Sequence, residues 1–260
     1  MMQTIRLEED ARGVAVLTLA RSEKRNAMSR EMIAELAEAA AIIGASDTIR
    51  VVVLAAEGPV FCAGGDLNWM REQMAADATT RRREATALAN TLGALDRLAK
   101  PLIARVQGDA YGGGIGLMSI CDVVVAAAGT RFGLTETRLG LIPATIGPYV
   151  VARTGAAKAR RVFFSSRIFD AEEARELGLV AQIVPGSELD KAVEDEVAPF
   201  LECAPGAVAA AKSLVARLGK SIDDQVVSDT VQALVERWES DEAGEGTAAF
   251  FDKRPPSWQR

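Results

Sequence analysis

One carboxylate among apolar residues and two glycine turns are the parts of this sequence best suited to chemistry. Glu136 stands in Phe132-Gly133-Leu134-Thr135-Glu136-Thr137-Arg138-Leu139-Gly140-Leu141-Ile142-Pro143-Ala144. A carboxyl buried in such surroundings has its pKa raised by desolvation, which suits proton transfer near neutral pH. The competing reading pairs Glu136 with Arg138 on the surface, and composition does not choose between the two. The first glycine turn is Ala63-Gly64-Gly65-Asp66-Leu67, and the second is Tyr111-Gly112-Gly113-Gly114. Glycines let backbone approach a ligand closely and expose N–H groups. An apolar helix follows the second turn, so its free N–H groups and positive dipole end add to that spot. One N–H from each turn, aimed at one oxygen, would make a backbone oxyanion hole. Each turn taken singly reads as a device for tight packing. Their placement after successive buried strands favours chemistry.

The elements that must position these groups follow from apolar periodicity. Val14–Leu19, Leu102–Val106 and Asp122–Ala127 read as strands, and the continuous run Val51–Ala55 reads as a strand covered on both faces. Ser29 can cap a helix whose Ile33, Leu36, Ala40 and Ile43 share a face. Met70–Leu98 has a helical pattern with a solvated charged face at Arg81, Arg82, Arg83 and Glu84. Asp170 and Glu173 form a capping-box-like start, with Gly178 as the stop and a short apolar run, Leu179–Val184, after it. From Ser187 the pattern is helical, with breaks expected at Pro199, Pro205 and Gly219. The expected architecture is α/β, with a body over residues 1–198 and an all-helical region over 199–260.

The 260 residues include no histidine. That excludes a Ser-His-Asp triad, a Cys-His pair and a His-ligated zinc. Acid–base work near pH 7 then falls to Asp, Glu, Lys, Tyr or Cys. No metal and no separate cofactor is expected. The net charge of −6, with no basic block and few aromatics, argues against a nucleic-acid partner. No apolar run approaches the roughly 20 residues that span a bilayer, so no membrane partner is expected. Cys62, Cys121 and Cys203 form no CxxC pair, and with a polar, acidic start they suit free thiols and a cytoplasmic location. Gly219-Lys220-Ser221 resembles the end of a P-loop, but the position five residues before Gly219 is Leu214 rather than glycine. Gly112–Gly116 resembles a dinucleotide fingerprint whose third glycine falls on Leu117.

Taken together, the Ala63–Leu67 and Gly112–Gly114 motifs and the Glu136 loop resemble the enoyl-CoA hydratase/isomerase (crotonase) family. The likeness runs from Lys24-Arg25-Asn26-Ala27-Met28 to Gly246-Thr247-Ala248-Ala249-Phe250-Phe251-Asp252-Lys253-Arg254. It implies a spiral of ββα units with a C-terminal helical trimerisation region, and trimers that can pair into hexamers. It implies an acyl-CoA thioester substrate, with CoA as part of that substrate. Gly65 and Gly113 correspond to the oxyanion donors and Glu136 to a catalytic carboxyl. Lys24, Arg25, Ala27, Ala63, Asp66, Leu67, Gly112 and Phe250 correspond to substrate- and CoA-binding positions, and Lys253 to a phosphate contact that a neighbouring subunit could supply. Ala144 corresponds to a backbone N–H that helps hold water. The family's two-carboxylate hydratases carry a second glutamate where this chain has Gly116. Hydration by Glu136 alone is the favoured expectation. A 3-enoyl to 2-enoyl isomerase, which needs only one base, and a non-catalytic acyl-CoA-binding oligomer stay open. The Gly112–Leu117 and Arg138–Val150 segments resemble the branch that hydrates methylglutaconyl-CoA and related branched acyl-CoAs. A carboxylated acyl group would need a basic partner, for which Arg71, Arg81, Arg82, Arg83 and Arg138 are candidates.

Overall fold

Ile5–Glu9 (β1) and Val14–Leu19 (β2) form an antiparallel hairpin, and Ser29 caps Arg30–Ala45 (α1) by accepting the Met32 N–H. The structure is a computed structural model that describes residues 2–219 and 222–259. Val51–Ala56 (β3), Val60–Cys62 (β4), Leu67–Ala75 (α2) and Ala78–Asp96 (α3) complete one unit. The next comprises Leu102–Val106 (β5), Asp109–Tyr111 (β6) and Gly113–Ser119 (α4). Val123–Ala127 (β7), Arg131–Gly133 (β8), Gly147–Thr154 (α5) and Ala156–Phe163 (α6) follow. Ile168–Asp170 (β9), Ala171–Leu177 (α7), Gln182–Val184 (β10) and Leu189–Glu202 (α8) close the body. Pro205–Leu218 (α9), Asp224–Trp238 (α10) and Asp241–Phe251 (α11) form the C-terminal region.

Two sheets result. One has the order β1-β2-β3-β5-β7-β10 and the other β4-β6-β8-β9. Strands β3, β5 and β7 enter the first sheet, and the strand after each enters the second. The chain therefore advances as a spiral of two strands and a helical segment per turn, with parallel pairing between successive turns.

Side chains alternate across a strand, which explains the continuous apolar run of β3. Val52 and Leu54 join the main core with Leu17, Phe61, Leu102 and Phe132. Val51 and Val53 face the other way, against Leu189, Val193 and Val197 of α8. Each fully buried side chain of this size contributes about 1.5–3 kcal/mol.

The Met70–Leu98 stretch is two helices, not one. The chain breaks at Ala76, and Asp77 restarts it by accepting the Thr80 N–H at 2.7 Å. Pro199 does not break α8, which runs through it. Pro199 and Asp195, whose carbonyl loses its helical donor, lie on the exposed face where water can take that carbonyl. The 198/199 division accordingly falls inside a continuous helix. Pro205 begins α9 and Gly219 ends it, while Lys220 and Ser221 of the P-loop-like triplet lie outside the described residues. Helix α10 packs through Val231 on Ala85 and Ala89 of α3, so the C-terminal region folds back over the body.

Candidate active site

A pocket of about 410 Å³ opens between the two glycine turns, the Glu136 turn, α2 and the C-terminal helices. Gly64 adopts φ +91° and Gly112 φ +47°, backbone conformations that favour glycine. A short parallel bridge links Met28 to Gly65. In it Met28 N–H donates to the Gly64 carbonyl at 2.7 Å, and Asp66 N–H donates to the Met28 carbonyl at 3.0 Å. That alternation uses the groups on either side of the Gly65 N–H. Gly113 is the first residue of α4, so its N–H has no acceptor within the helix. The two turns touch: β-carbons at Gly112 and Gly113 would lie 3.9 and 4.0 Å from Gly64 Cα. A β-carbon at Gly114 would lie 2.7 Å from the Cys62 carbonyl oxygen. Close approach of the turns thus requires glycine.

Glu136 begins a 3-10 turn, Glu136–Leu139, capped by Gly140 at φ +71°. Its Oε2 is shut off from solvent and has no hydrogen-bond partner, although the residue as a whole keeps some exposure toward the pocket. Burial pushes its pKa up to about 7, opposed only by its own backbone N–H. Among the described residues Glu136 forms no ion pair with Arg138, so of the two sequence readings the buried carboxyl holds. A β-carbon at Gly112 would sit 2.9 Å from Glu136 Oε1, so the carboxyl lies directly against the second glycine turn. Gly116 is buried one helical turn further along α4, and Ile146 fills the space beside it.

The pocket lining brings together Gly65, Gly112, Gly113, Glu136, Ala63, Leu67, Ala144 and Phe250. Lys24, Arg25, Ala27, Asp66 and Lys253 do not line it. Lys24 and Arg25 are exposed on the early turn, and Lys253 is exposed at φ +54°. Ala27 is buried behind the turn. The Asp66 carboxylate caps α2, accepting the Asn68 and Trp69 N–H groups at 2.8 and 3.3 Å, and pairs with Arg21 at 3.2 Å. Ala144 N–H donates to the Ile142 carbonyl at 2.8 Å, so as placed it is engaged within its own loop.

Of the candidate basic groups, Arg71 stacks on Phe251 at 4.4 Å, and Arg81 donates to the Gln73 and Met74 carbonyls. Arg82 donates to Gln232, and Arg83 to Glu84. Arg138 alone of the five lines the pocket. Apart from Thr135 and Thr145 the remaining wall is apolar, with Met28, Trp69, Met70, Leu88, Leu139, Leu141, Leu234 and Trp238 among its residues. Trp69 is held by its indole N–H donating to Glu84 at 3.3 Å. Sequence reasoning missed Leu234 and Trp238. Their i, i+4 spacing on an amphipathic helix was the available signal. No group of three or more Cys, Asp or Glu side chains among the described residues could hold a metal ion.

The arrangement brings two glycine turns, a carboxyl whose burial raises its pKa to about 7, and a largely apolar chamber into one pocket. A family model described as enoyl-CoA hydratase/isomerase matches residues 9–260. The chain is 35% identical to an enoyl-CoA hydratase of Shewanella pealeana of known crystal structure, covering 99% of this chain and 97% of that one, with a TM-score of 0.82. An enoyl-CoA hydratase crystal structure from Mycobacterium avium matches at 31% identity over 99% of this chain and 100% of that one, with a TM-score of 0.84. The mitochondrial methylglutaconyl-CoA hydratase of Rattus norvegicus is 29% identical over 97% of this chain and 81% of its own length.

Proposed function

This chain belongs to the enoyl-CoA hydratase/isomerase family, and from that premise we propose that it adds water across the 2,3 double bond of an enoyl-CoA. The observation that carries this reading is the Glu136 carboxyl, its Oε2 shut off from solvent and without a partner, its pKa raised by burial to about 7, set against the turn that holds Gly113. The Gly65 and Gly113 N–H groups hold the thioester oxygen. Glu136 takes a proton from water as the hydroxyl oxygen bonds to C3, and the electron pair of the double bond moves into a thioester enolate. The protonated Glu136 then delivers its proton to C2. Removing one oxyanion donor typically costs about 2.7–4 kcal/mol of barrier.

A second reading is favoured by a separate observation. Among the described residues Glu136 is the only carboxyl lining the pocket, and Ile146 closes the place beside Gly116. A single base suffices to carry a proton from C2 to C4, which turns a 3-enoyl-CoA into a 2-enoyl-CoA. The rat relative's name suggests a branched, carboxylated acyl group, and Arg138 at the pocket is the residue suited to meet it. The exposed apolar face of α9 supports a homotrimer or a dimer of trimers. Burial pushes the Cys62 and Cys121 thiols up to about 12, which keeps both inert and is compatible with a cytoplasmic setting.

The test follows absorbance of the conjugated thioester with crotonyl-CoA, 3-methylglutaconyl-CoA and a 3-enoyl-CoA, with Glu136→Gln as control. Loss of conjugation from either of the first two, absent in the variant, is the expected result. Gain of conjugation from the 3-enoyl substrate alone would make the protein an isomerase. Tight thioester binding with no turnover of any substrate would replace both readings with a non-catalytic acyl-CoA binder.

A further inference from the structure

Among the described residues the Glu136 carboxyl has no side-chain anchor. Its Oε2 is without a partner, and Oε1 rests against the backbone at Gly112. Its position is therefore set by the turn on which it stands. That turn is seated on the C-terminal helices. Gly140, its cap, lies so close to α11 that a β-carbon there would approach the Glu242 carbonyl carbon to 2.5 Å and Ala243 N to 2.7 Å. One helical turn later, a β-carbon at Gly246 would approach the Leu139 carbonyl carbon to 2.5 Å. The Gly140 carbonyl accepts two hydrogen bonds from Arg237 of α10, at 3.0 Å from Nε and 2.6 Å from Nη2. The same guanidinium holds Glu242 at 2.8 Å. On its other side the turn is tied by Thr137 Oγ1 to the Phe164 carbonyl at 3.2 Å.

We propose that Arg237 is a positioning residue for Glu136. By clamping the Gly140 carbonyl it fixes, from the C-terminal region, the height and burial of the catalytic turn. This rests on Glu136 as the acid–base group. Arginine suits the task because its planar fork offers paired donors to the carbonyl while a further edge meets a carboxylate. The charged groups facing the turn are Arg138 on the turn itself, Arg237 from α10 and Glu242 from α11. The Gly112 turn and the Ala144 loop present none, and Tyr111 behind them is bonded to Asp109. No charge contributes to the raised pKa of Glu136, which comes from burial. Slackening the clamp admits water, and the carboxyl then titrates lower.

The experiment titrates Glu136 by carboxyl-stretch difference infrared spectroscopy against Glu136→Gln, in the full chain and in Arg237→Met, Arg237→Gln and Arg237→Lys. It records kcat, KM and thermal midpoint beside each titration. We expect the Glu136 midpoint to fall by at least about one pH unit in the Met and Gln variants. We expect kcat to fall about 10- to 100-fold as the carboxyl is misplaced, with KM little changed. Lysine, which keeps the charge and a donor, should recover most of both. An unchanged Glu136 midpoint in whichever of the Met and Gln variants folds would overturn the proposal, however much the thermal midpoint drops. The titration does not require turnover. A shifted midpoint in a protein that turns over no enoyl-CoA would sustain the clamp and sink the functional reading instead.

Discussion

Ile146 occupies the space into which any side chain at Gly116 would grow. A β-carbon placed on Gly116 would overlap Ile146 Cγ2 and lie 2.9 Å from Ile146 Cβ. The absence of a second carboxyl at this point of α4 is thus a packed arrangement that involves two residues rather than one. Gly116→Ala should destabilise the fold by about 1–3 kcal/mol through overpacking. Ile146→Ala should cost roughly 2–5 kcal/mol through the cavity it leaves. The double variant should cost less than the two together by at least about 0.5 kcal/mol, because each change relieves the other. Denaturant unfolding of the four proteins measures this. Strictly additive costs would mean that the two residues do not share the space.

The raised pKa of Glu136 has a signed consequence for stability. Its ordinary value is 4.5 and its folded value about 7. Below 4.5 the group is protonated in both states, and its neutral burial costs nothing extra. Between 4.5 and about 7 the unfolded chain gives up the proton and the folded chain keeps it, so stability falls as pH rises. Above about 7 the loss is complete, on the order of 3 kcal/mol. Glu136→Gln cannot ionise and should not show this fall. The difference in unfolding free energy between the variant and the parent, measured at pH 5 and pH 8, should grow at the higher pH. The same ionisation gives the parent an acid limb in kcat/KM centred near 7, where the free base is lost.

Strands β2, β3, β5 and β7 were legible in the sequence because their apolar residues serve buried faces, whereas β1, of equal length to β5, was not, because most of its residues are exposed. Val51–Ala56 needed nothing beyond its composition. The second sheet was not legible, because β4, β6, β8 and β9 have three residues each and show too little period-2 pattern to separate from loop. The two glycine turns could be read as a pair because close approach has a sequence signature. The state of Glu136 could not, since its burial and the seating of its turn depend on Gly246, Arg237 and Glu242, about a hundred residues away. Asp66 and Asn26 lay inside quoted motifs, yet their polar ends are turned to capping and turn formation, which spacing alone does not reveal.

Asn26 holds the early turn from inside. It is fully buried at φ +51°, a conformation that asparagine tolerates better than most residues. Its amide oxygen accepts the Arg21 N–H at 2.9 Å, and its amide nitrogen donates to the Glu57 and Val60 carbonyls at 2.8 and 2.9 Å. Asn26→Ala leaves one donor and two acceptors unmet, at roughly 1–3 kcal/mol for each group that water cannot reach. A loss of at least about 2 kcal/mol is expected in denaturant unfolding. A loss under half that would mean that water replaces the amide at low cost.

Helix α9 makes the last prediction. It has no buried residue, and Leu214, Val215 and Leu218 are 47%, 70% and 78% exposed. A soluble surface seldom leaves three large apolar side chains together on one helix unless something covers them. A second copy of the chain is the covering partner that the proposed trimer supplies. Leu214→Asp with Val215→Asp should then shift the protein to a smaller species in light scattering coupled to size exclusion, while the far-ultraviolet circular dichroism stays that of the parent. Charges on a face already open to water would cost the isolated fold within about 0.5 kcal/mol, so the variant separates assembly from folding. An unchanged molar mass would exclude this face of α9 from the assembly. A parent protein that is already monomeric at micromolar concentration would remove the trimer from the reading, and Phe250 would then have to wall the acyl chamber of its own chain alone.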